Sequence, residues 1–521
     1  SQLNKIEQVF ELFSGDFEIV GHNLKKLAKV VLHQGQDFEA SLFDIKVASY
    51  LINSSADSHE LDEIILRELE IEAENQKDQD TLFGEDPAKI AQNLYFTLQV
   101  KQEFEEELDE ADTGNLFEEV EMQLIPILAK MELNGIAIDE EKFNDLSQQV
   151  KEKIRNLEDH IHEYAGENFN VNSTKQLRKI LYDKLELPTE NIKEGKTGYS
   201  TAASELEKLH GEHPIIELIE DHREIEKLRN TYIDVLPTLA NEQTGRIHTS
   251  FNQTITSTGR LSSSDPNLQN IPIRSDLGKE IRKAFVAEKG GKLIAADYSQ
   301  VELRIAAHLS GDEKLIEIFS KGEDVHTATA AELHEVEPDE VTADMRSKAK
   351  EVNFGVLYGM GPHGMAQRTD VTRGEAKEFI DKYFEKFSGI ERFVEKTKEF
   401  AKEKGYAETM FGRKRYLPEL KSDNYHLRHS GERMAINMPV QGTQADLIKM
   451  AMIEIDEEIK QNFSNQIKML LQVHDELVFE VNENEIDSAK KMIVEQMEDI
   501  IDLVVPVKVD VEFGQSWGEL K

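Results

Sequence analysis

Two short apolar runs in this chain end in carboxylates. LIAA leads into Asp297, and QVHDELVFE carries Asp475 and Glu476 between two apolar stretches. A carboxylate at the end of a buried strand is costly unless it is paired or binds a metal. The runs lie far apart in the chain, so both acids are accommodated if the two strands meet on one sheet surface. KMLLQVHDELVFEV reads as a hairpin with its polar tip at the turn. RIHTSFNQT, KLIAAD and VPVKVDVEF read as further strands. Helical segments separate the strands from about residue 301 to 460. Blocks of strand and helix of this kind predict an α+β fold with a mixed or antiparallel sheet.

Acids brought together in this way could hold a pair of hard divalent cations. Mg²⁺ suits the set, because it takes one or two carboxylates and completes its shell with water and substrate phosphates. Two metals ~3.5–4 Å apart can stabilise both the attacking and the leaving oxygen of a phosphoryl transfer. Taken singly, either acid reads more readily as a surface turn residue.

Two further segments add chemistry. In RSKAKEVNFGVLYG, Arg346, Lys350, Phe354 and Tyr358 are spaced four apart. On a helix they form one drifting stripe of two cations and two aromatics. Arg as a planar fork and Lys as a point charge suit a triphosphate, and the aromatics offer a wall for a sugar and base. Alone, the stripe reads equally as an amphipathic helix with snorkelling basic residues. TSTGRLSSSDPNLQNIPIR, with Arg260 and Arg274, is rich in hydroxyl and amide groups. Such a loop could line a nucleic-acid backbone or minor groove.

The 521 residues suggest three or four domains. There are no cysteines, which excludes disulfides and thiol chemistry and fits a reducing cytoplasm. The net charge of −41 argues, taken alone, against a nucleic-acid partner. Nearly half of that excess lies in residues 1–120, so a local basic groove elsewhere remains open. Residues 1–120 read as a small α-rich or α/β piece, with helical spacing in LKKLAKVVL and FDIKVASYLI, an acidic loop over 68–89 and a boundary near Asn115. From Leu116 to about Ala240 long charged helices suggest an extended arm. Between them lies a basic patch of Lys175, Arg178, Lys179, Lys193 and Lys196, which on its own reads as a solvated helix face.

Together these segments resemble the family A DNA polymerases of the bacterial DNA polymerase I large-fragment type. DYSQVELR is similar to the family's first palm motif, RSKAKEVNFGVLYG to its fingers helix and QVHDELVFE to its second palm motif. TSTGRLSSSDPNLQNIPIR and NMPVQGTQADLIK resemble its template–primer segments, and NVNSTKQLRKIL its thumb tip. The match runs in order from about Leu116 to Lys521. The resemblance implies a right-hand polymerase of palm sheet, helical fingers and helical thumb, preceded by a partial, vestigial exonuclease-like α/β domain. The expected spans are 1–115 for that domain and 116–240 for the thumb with its entry helix. The palm would take 241–312 and 431–521, and the fingers 313–430.

The resemblance also implies roles. Asp297 and Asp475 would bind two Mg²⁺, with Mn²⁺ able to substitute, and Glu476 would be an accessory acid. Arg346 and Lys350 would hold the triphosphate, and His474 would lie beside the nucleotide and the new pair. Glu302, assisted by Tyr358, would exclude a ribose 2′-hydroxyl. Phe354 would lie against the sugar, where members that accept dideoxynucleotides readily have Tyr, so discrimination against dideoxynucleotides is expected. Arg260, Asn267, Gln269, Asn270, Arg433, Asn437 and Gln441 would contact primer–template DNA near the new pair, with Asn172, Ser173 and Lys175 at the thumb tip. The expected protein is a monomeric DNA-directed DNA polymerase of replication and repair, cytoplasmic and nucleoid-associated. Its partners would be primer–template DNA and deoxynucleoside triphosphates, with no membrane.

The exonuclease resemblance is degenerate. GHNLKKL matches a segment that ends in a metal-binding Asp, but here the position is Leu27. Asn93 occupies another such acid position and Lys89 the position of the family's Tyr, while Asp44 is retained. Asp16-Phe17-Glu18 has the D-x-E form of the family's opening acidic pair but lies too close to GHNLK to be that pair. No proofreading is expected. Nothing in the chain resembles the 5′-nuclease domain that precedes this region in full-length members. Two other readings stay open at this point: a non-catalytic DNA-binding relative, and a two-metal nuclease. The retained palm acids weigh against the first. The triphosphate-type stripe, with Glu302 and Tyr358, weighs against the second.

Overall fold

The computed structural model describes residues 13, 17–36, 38, 40–71, 87–273, 275–369 and 371–520. Asp16, Arg274 and most of the expected acidic loop, residues 72–86, lie outside them. The chain divides into two compact units. The first comprises Ser1–Asn134, Thr249–Gln269 and Ile294–Glu512; the second comprises Gly135–His248, Asn270–Leu293 and Phe513–Lys521.

In the first unit, helix α1 (Ile45–Ile52) follows the strand Ser41–Asp44. Its start is fixed by Asp44, whose carboxylate accepts hydrogen bonds from the backbone N–H of Lys46 at 2.9 Å, Asn23 at 3.0 Å and Leu24 at 2.6 Å. Such a cap satisfies donors that the first helical turn leaves open. Helix α1 is apolar on most sides and is buried accordingly. Its Ala48 and Leu51 share a core with Phe43, Phe104, Phe117 and Ile125, and Met450 and Ile453 pack against the same core.

A four-stranded sheet anchors this unit. Strand β1 (Gly291–Tyr298) leads through Gln300, held at φ +54°, into helix α2 (Val301–Ser310). Helices α3 (Val325–His334) and α4 (Ala343–Leu357) begin at side-chain caps, Asp324 on Thr327 N and Thr342 on Met345 N. Helix α5 (Tyr425–Asn462) is 38 residues long. Strands β2 (Ile467–Val473) and β3 (Glu476–Asn482) form the expected hairpin, antiparallel with Val473 opposite Glu476. Helix α6 (Ile486–Glu498) and strand β4 (Val509–Gly514) follow. The strand order is β2-β3-β1-β4.

Two expected strands are cut short. RIHTSFNQT is not one strand: Arg246–Ile247 pairs with Ile136–Ala137, whereas Ser250–Asn252 pairs with Ser262–Ser264. Thr249 makes the break, its hydroxyl donating to the carbonyls of Ser264 and Pro266. VPVKVDVEF becomes a strand only at Val509. Pro506 has no N–H for a ladder, and its carbonyl accepts a 2.6 Å bond from Arg304 Nη1.

The second unit has its own core, with Ile161, Val171, Leu177, Leu181, Ile215 and Ile219 buried together. Its 26-residue helix Glu140–Ala165, one of the expected long charged helices, starts at the Asp139 cap and ends at Gly166. A three-stranded antiparallel sheet orders Arg246–Ile247, Ile136–Ile138 and Phe285–Val286. The Arg282 guanidinium lies 3.9 Å from the Trp517 ring.

Candidate functional site

Alternation along β1 sets the direction of its last two side chains. Tyr298 is buried and its hydroxyl donates to the carbonyl of Met497 in α6 at 3.0 Å. Asp297 therefore faces the opposite side of the sheet. The backbone N–H of Tyr298 donates to the carbonyl of Asp475 at 3.2 Å. The hairpin turn and the end of β1 are thus tied together. Asp297 and Asp475 are half-buried, and Glu476 is buried at the start of β3.

The turn itself is held from behind. A two-residue hairpin turn needs a residue at positive φ, and His474 supplies it at +58°. The His474 carbonyl accepts from Gln472 Nε2 at 2.6 Å. Gln269 Nε2 in turn donates to the Gln472 carbonyl and side-chain oxygen, each at 3.1 Å. Gln269, expected to touch DNA, therefore also braces the acid-bearing turn. Asn267 Oδ1 lies 3.2 Å from the Ser263 hydroxyl in the same loop.

Glu302, in the first turn of α2, is clamped at both oxygens. Arg260 Nη2 donates to Oε1 at 2.6 Å, and the Tyr358 hydroxyl donates to Oε2. Arg260 Nη2 also reaches Gln444 Oε1 at 2.6 Å. Burial, and then the Glu302 charge, push the Tyr358 hydroxyl well above the usual phenol range, so it stays a donor.

Helix α4 presents the expected stripe. Arg346 is exposed, Lys350 and Phe354 are half-buried, and the Phe354 ring stacks on Tyr358 with centroids 6.4 Å apart. Tyr358 is not inside the helix but caps it. The chain leaves at Gly359, at φ +64°, where a Cβ would come within 2.9 Å of Arg433 on α5. Arg433, Asn437 and Gln441 follow at four-residue spacing, Arg433 exposed and the other two half-buried. Asn437 Oδ1 is buried without a hydrogen-bond partner.

Three residues behind this stripe escape sequence reading. Arg346 forks onto Asp324 through Nε at 3.1 Å and Nη2 at 2.8 Å. Burial opposes ionisation of Asp324, but Arg346 and Thr327 outweigh it and hold the carboxyl well below its usual range. His326 packs its ring 5.6 Å from Phe354 and is lowered to about 4, by burial first and then by Arg346 and Lys350. Buried Asn353 places Nδ2 3.1 Å from His326 Nδ1. The local signal was the D-x-H-T start of α3, a helix cap with a histidine one turn from the stripe.

The remaining expected contacts lie in the second unit. Asn270, Asn172 and Lys175 are exposed, and Ser173 caps the helix Thr174–Arg178. A cavity of about 610 Å³ there is lined by Asn172, Arg178, Lys193 and Arg223. Arg178 and Arg223 also staple the adjoining loop through the carbonyls of Tyr199 and Thr201. Among the described residues, no helix is long and apolar enough to cross a membrane.

Comparison with known proteins gives the class. Residues 140–519 match the model of DNA polymerase family A. The chain is 47% identical over 423 residues to DNA polymerase I of Bacillus subtilis, covering 81% of this chain and 48% of that protein. It is 41% identical over 514 residues to DNA polymerase I of Caldicellulosiruptor bescii, covering 98% of this chain and 59% of that protein. The solved POL domain of Pol1 from M. smegmatis, in complex with DNA primer-template and dNTP, superposes with a TM-score of 0.89 at 37% identity. That likeness covers 96% of this chain and 86% of the other. The chain belongs to DNA polymerase family A, and its α+β fold is the right-hand polymerase fold. It spans about half the length of the curated relatives it matches.

Proposed function

We propose that the chain carries out template-directed DNA synthesis, adding deoxynucleoside triphosphates to a primer 3′-hydroxyl with release of pyrophosphate. The observation that carries this reading is the tie between Tyr298 N and the Asp475 carbonyl, which sets Asp297 and the Asp475 turn side by side. The donor set fits Mg²⁺: two carboxylates from adjoining strand ends leave most of its shell to water and phosphate oxygens. Bound there, divalent cations would neutralise charge on the α-phosphate and the departing pyrophosphate.

The chain's own residues do the rest. Arg346 and Lys350 receive the β- and γ-phosphates, an exposed fork and a half-buried point charge on one helix face. Phe354 and Tyr358 wall the sugar and base. Glu302, held at both oxygens, fills the space a ribose 2′-hydroxyl would take. Arg433, Asn437 and Gln441 line the template–primer side, and the unsatisfied Asn437 Oδ1 is an acceptor awaiting a donor. In the second unit, Asn270, Asn172, Ser173 and Lys175 contact the duplex. Sequence choice comes from base pairing, so phosphate and shape contacts suffice.

The same reading includes loss of proofreading. Leu27 stands where the family places a metal-binding Asp. The Asp44 carboxylate accepts three backbone N–H bonds and serves as a helix cap. A two-metal hydrolytic site needs a fuller acid set than this. A role in replication and repair follows from this activity.

Gel-resolved extension of a 5′-labelled primer with Mg²⁺, with and without deoxynucleotides, tests the reading. The parent is expected to extend the primer and to leave it intact without nucleotides, and Asp475→Ala is expected not to extend it. Primer shortened from its 3′ end without nucleotides would overturn the proofreading assignment. Gel-shift binding without extension by the parent would move the case to a non-catalytic DNA binder.

A further inference from the structure

The N-terminal region is packed as part of the polymerase unit. Its apolar residues share one core with Phe117 and Ile125, and Ile453 of α5 packs on that core. Two polar braces run from it to the segment that carries Arg260. At one end, Lys25 Nζ pairs with Glu132 at 2.5 Å and donates to the Phe251 carbonyl, while Glu132 accepts the Phe251 N–H at 2.9 Å. At the other end, the Tyr50 hydroxyl on α1 donates to the Thr256 carbonyl at 2.7 Å and accepts the Gly259 N–H at 3.0 Å. Tyr50 is 1% exposed, and its ring stands edge-on to His59 at 5.7 Å.

This second brace closes a tight loop. The Thr256 hydroxyl donates to the Arg260 carbonyl at 2.7 Å. Gly259, at φ +87°, lies so close to Arg413 that a Cβ would meet its Nε at 2.5 Å. Arg413 is itself fixed by Asp446 at 2.7 Å and by Glu121. The loop is thus gripped by a phenol on one side and a buried guanidinium on the other. Its next residue, Arg260, holds Glu302.

We propose that Tyr50 is a positioning residue of the polymerase centre, fixing the 256–260 loop and through it the Arg260 contact to Glu302. The N-terminal region is then a scaffold for sugar selection by a site it does not line. This rests on the reading of Glu302 as the group that excludes the 2′-hydroxyl. One hydroxyl satisfies the buried Gly259 N–H and the half-buried Thr256 carbonyl, and removing it leaves both without this partner. The loop then samples other conformations, and Arg260 no longer holds the Glu302 carboxylate in place.

The test compares Tyr50→Phe with Ser49→Ala in the full chain. Ser49 is buried on the same helix and bonds His59 and Arg67, but not the loop. It therefore controls for loss of stability alone. Two readouts are taken: hydrogen exchange of the 255–260 amides, and the ratio of deoxyribonucleotide to ribonucleotide incorporation. Tyr50→Phe is expected to speed exchange of the Gly259 amide about tenfold or more and to lower the sugar ratio about fivefold, as losing a hydrogen bond of ordinary worth would. Ser49→Ala is expected to change neither. Unchanged Gly259 exchange in Tyr50→Phe overturns the brace. Faster exchange with an unchanged sugar ratio, or an equal effect from Ser49→Ala, overturns the positioning role. Glu302→Ala is run alongside. If it leaves the sugar ratio unchanged, the Glu302 reading fails, and the exchange measurement still decides whether Tyr50 holds the loop.

Discussion

Arg413 and Arg346 both bind carboxylates at hydrogen-bond distance, yet they sit in opposite environments. Arg413 is 2% exposed and bonds Asp446 and Glu121, which are fully buried and joined there by Lys449 at 2.6 Å. Lys449 and Arg413 hold the Glu121 carboxyl down at about 2 against the opposing effect of burial. Arg346 and Asp324 are 45% and 38% exposed. The buried knot is a fixed part of the fold, because each charge would be uncompensated without the others. The exposed pair costs little to open, because water already solvates both partners. Under the proposed function a triphosphate would replace Asp324 on Arg346, whereas no ligand could reach Arg413. On that reading the same side-chain chemistry is architecture in one place and a receptor in the other.

The strongest way to break this comparison is to remove each arginine in turn. Arg413→Met is expected to cost about 3–5 kcal/mol of stability in urea unfolding, since it strands buried acids. Arg346→Met is expected to change stability by less than about 0.5 kcal/mol while slowing single-nucleotide incorporation about a hundredfold. Equal stability losses in the two variants would erase the distinction. Asp324→Asn sharpens it. Asparagine keeps the helix cap but gives up the charge that competes for Arg346, so the KM for deoxynucleotides is expected to fall several-fold. A raised KM would mean that Asp324 assists binding.

Much of this arrangement is legible in sequence, and the part that is not has a physical cause. The hairpin tip and the α4 stripe follow from local periodicity, which alternation and four-residue spacing report directly. The break at Thr249 depends on the carbonyls of Ser264 and Pro266, which no local pattern announces. The buried knot joins Glu121 to Arg413 and Lys449, each an ordinary charged residue in its own segment. Only the tertiary fold removes them from water. Tyr50 is hidden for the same reason: in FDIKVASYLI it is one more apolar position on a core helix, and its hydroxyl partners come from a distant loop.

Smaller effects probe the stripe. Phe354→Tyr is expected to raise dideoxynucleotide incorporation several-fold, about the worth of one added hydrogen bond, in a competition assay against the matching deoxynucleotide. No change would remove Phe354 from the sugar pocket. Stability should also depend on pH through His326 and His59, both lowered to about 4 chiefly by burial. The unfolded histidines take up protons near pH 6.5 that the folded ones refuse. Stability is therefore full above about pH 6.5 and falls as the pH drops toward 4. Replacing His326 with Asn is expected to flatten part of that slope in melts recorded from pH 7 to 4. An unaltered slope would assign it to other groups.

The most direct test of the account is templated addition of a single nucleotide. Four primer–templates that differ only in the first unpaired base are each offered the four deoxynucleotides separately, with the parent and Asp297→Asn. The account predicts extension only by the complementary nucleotide, and its loss in Asp297→Asn without a comparable loss of DNA binding. Extension that ignores the template base, or survives in Asp297→Asn at the parent rate, would contradict it.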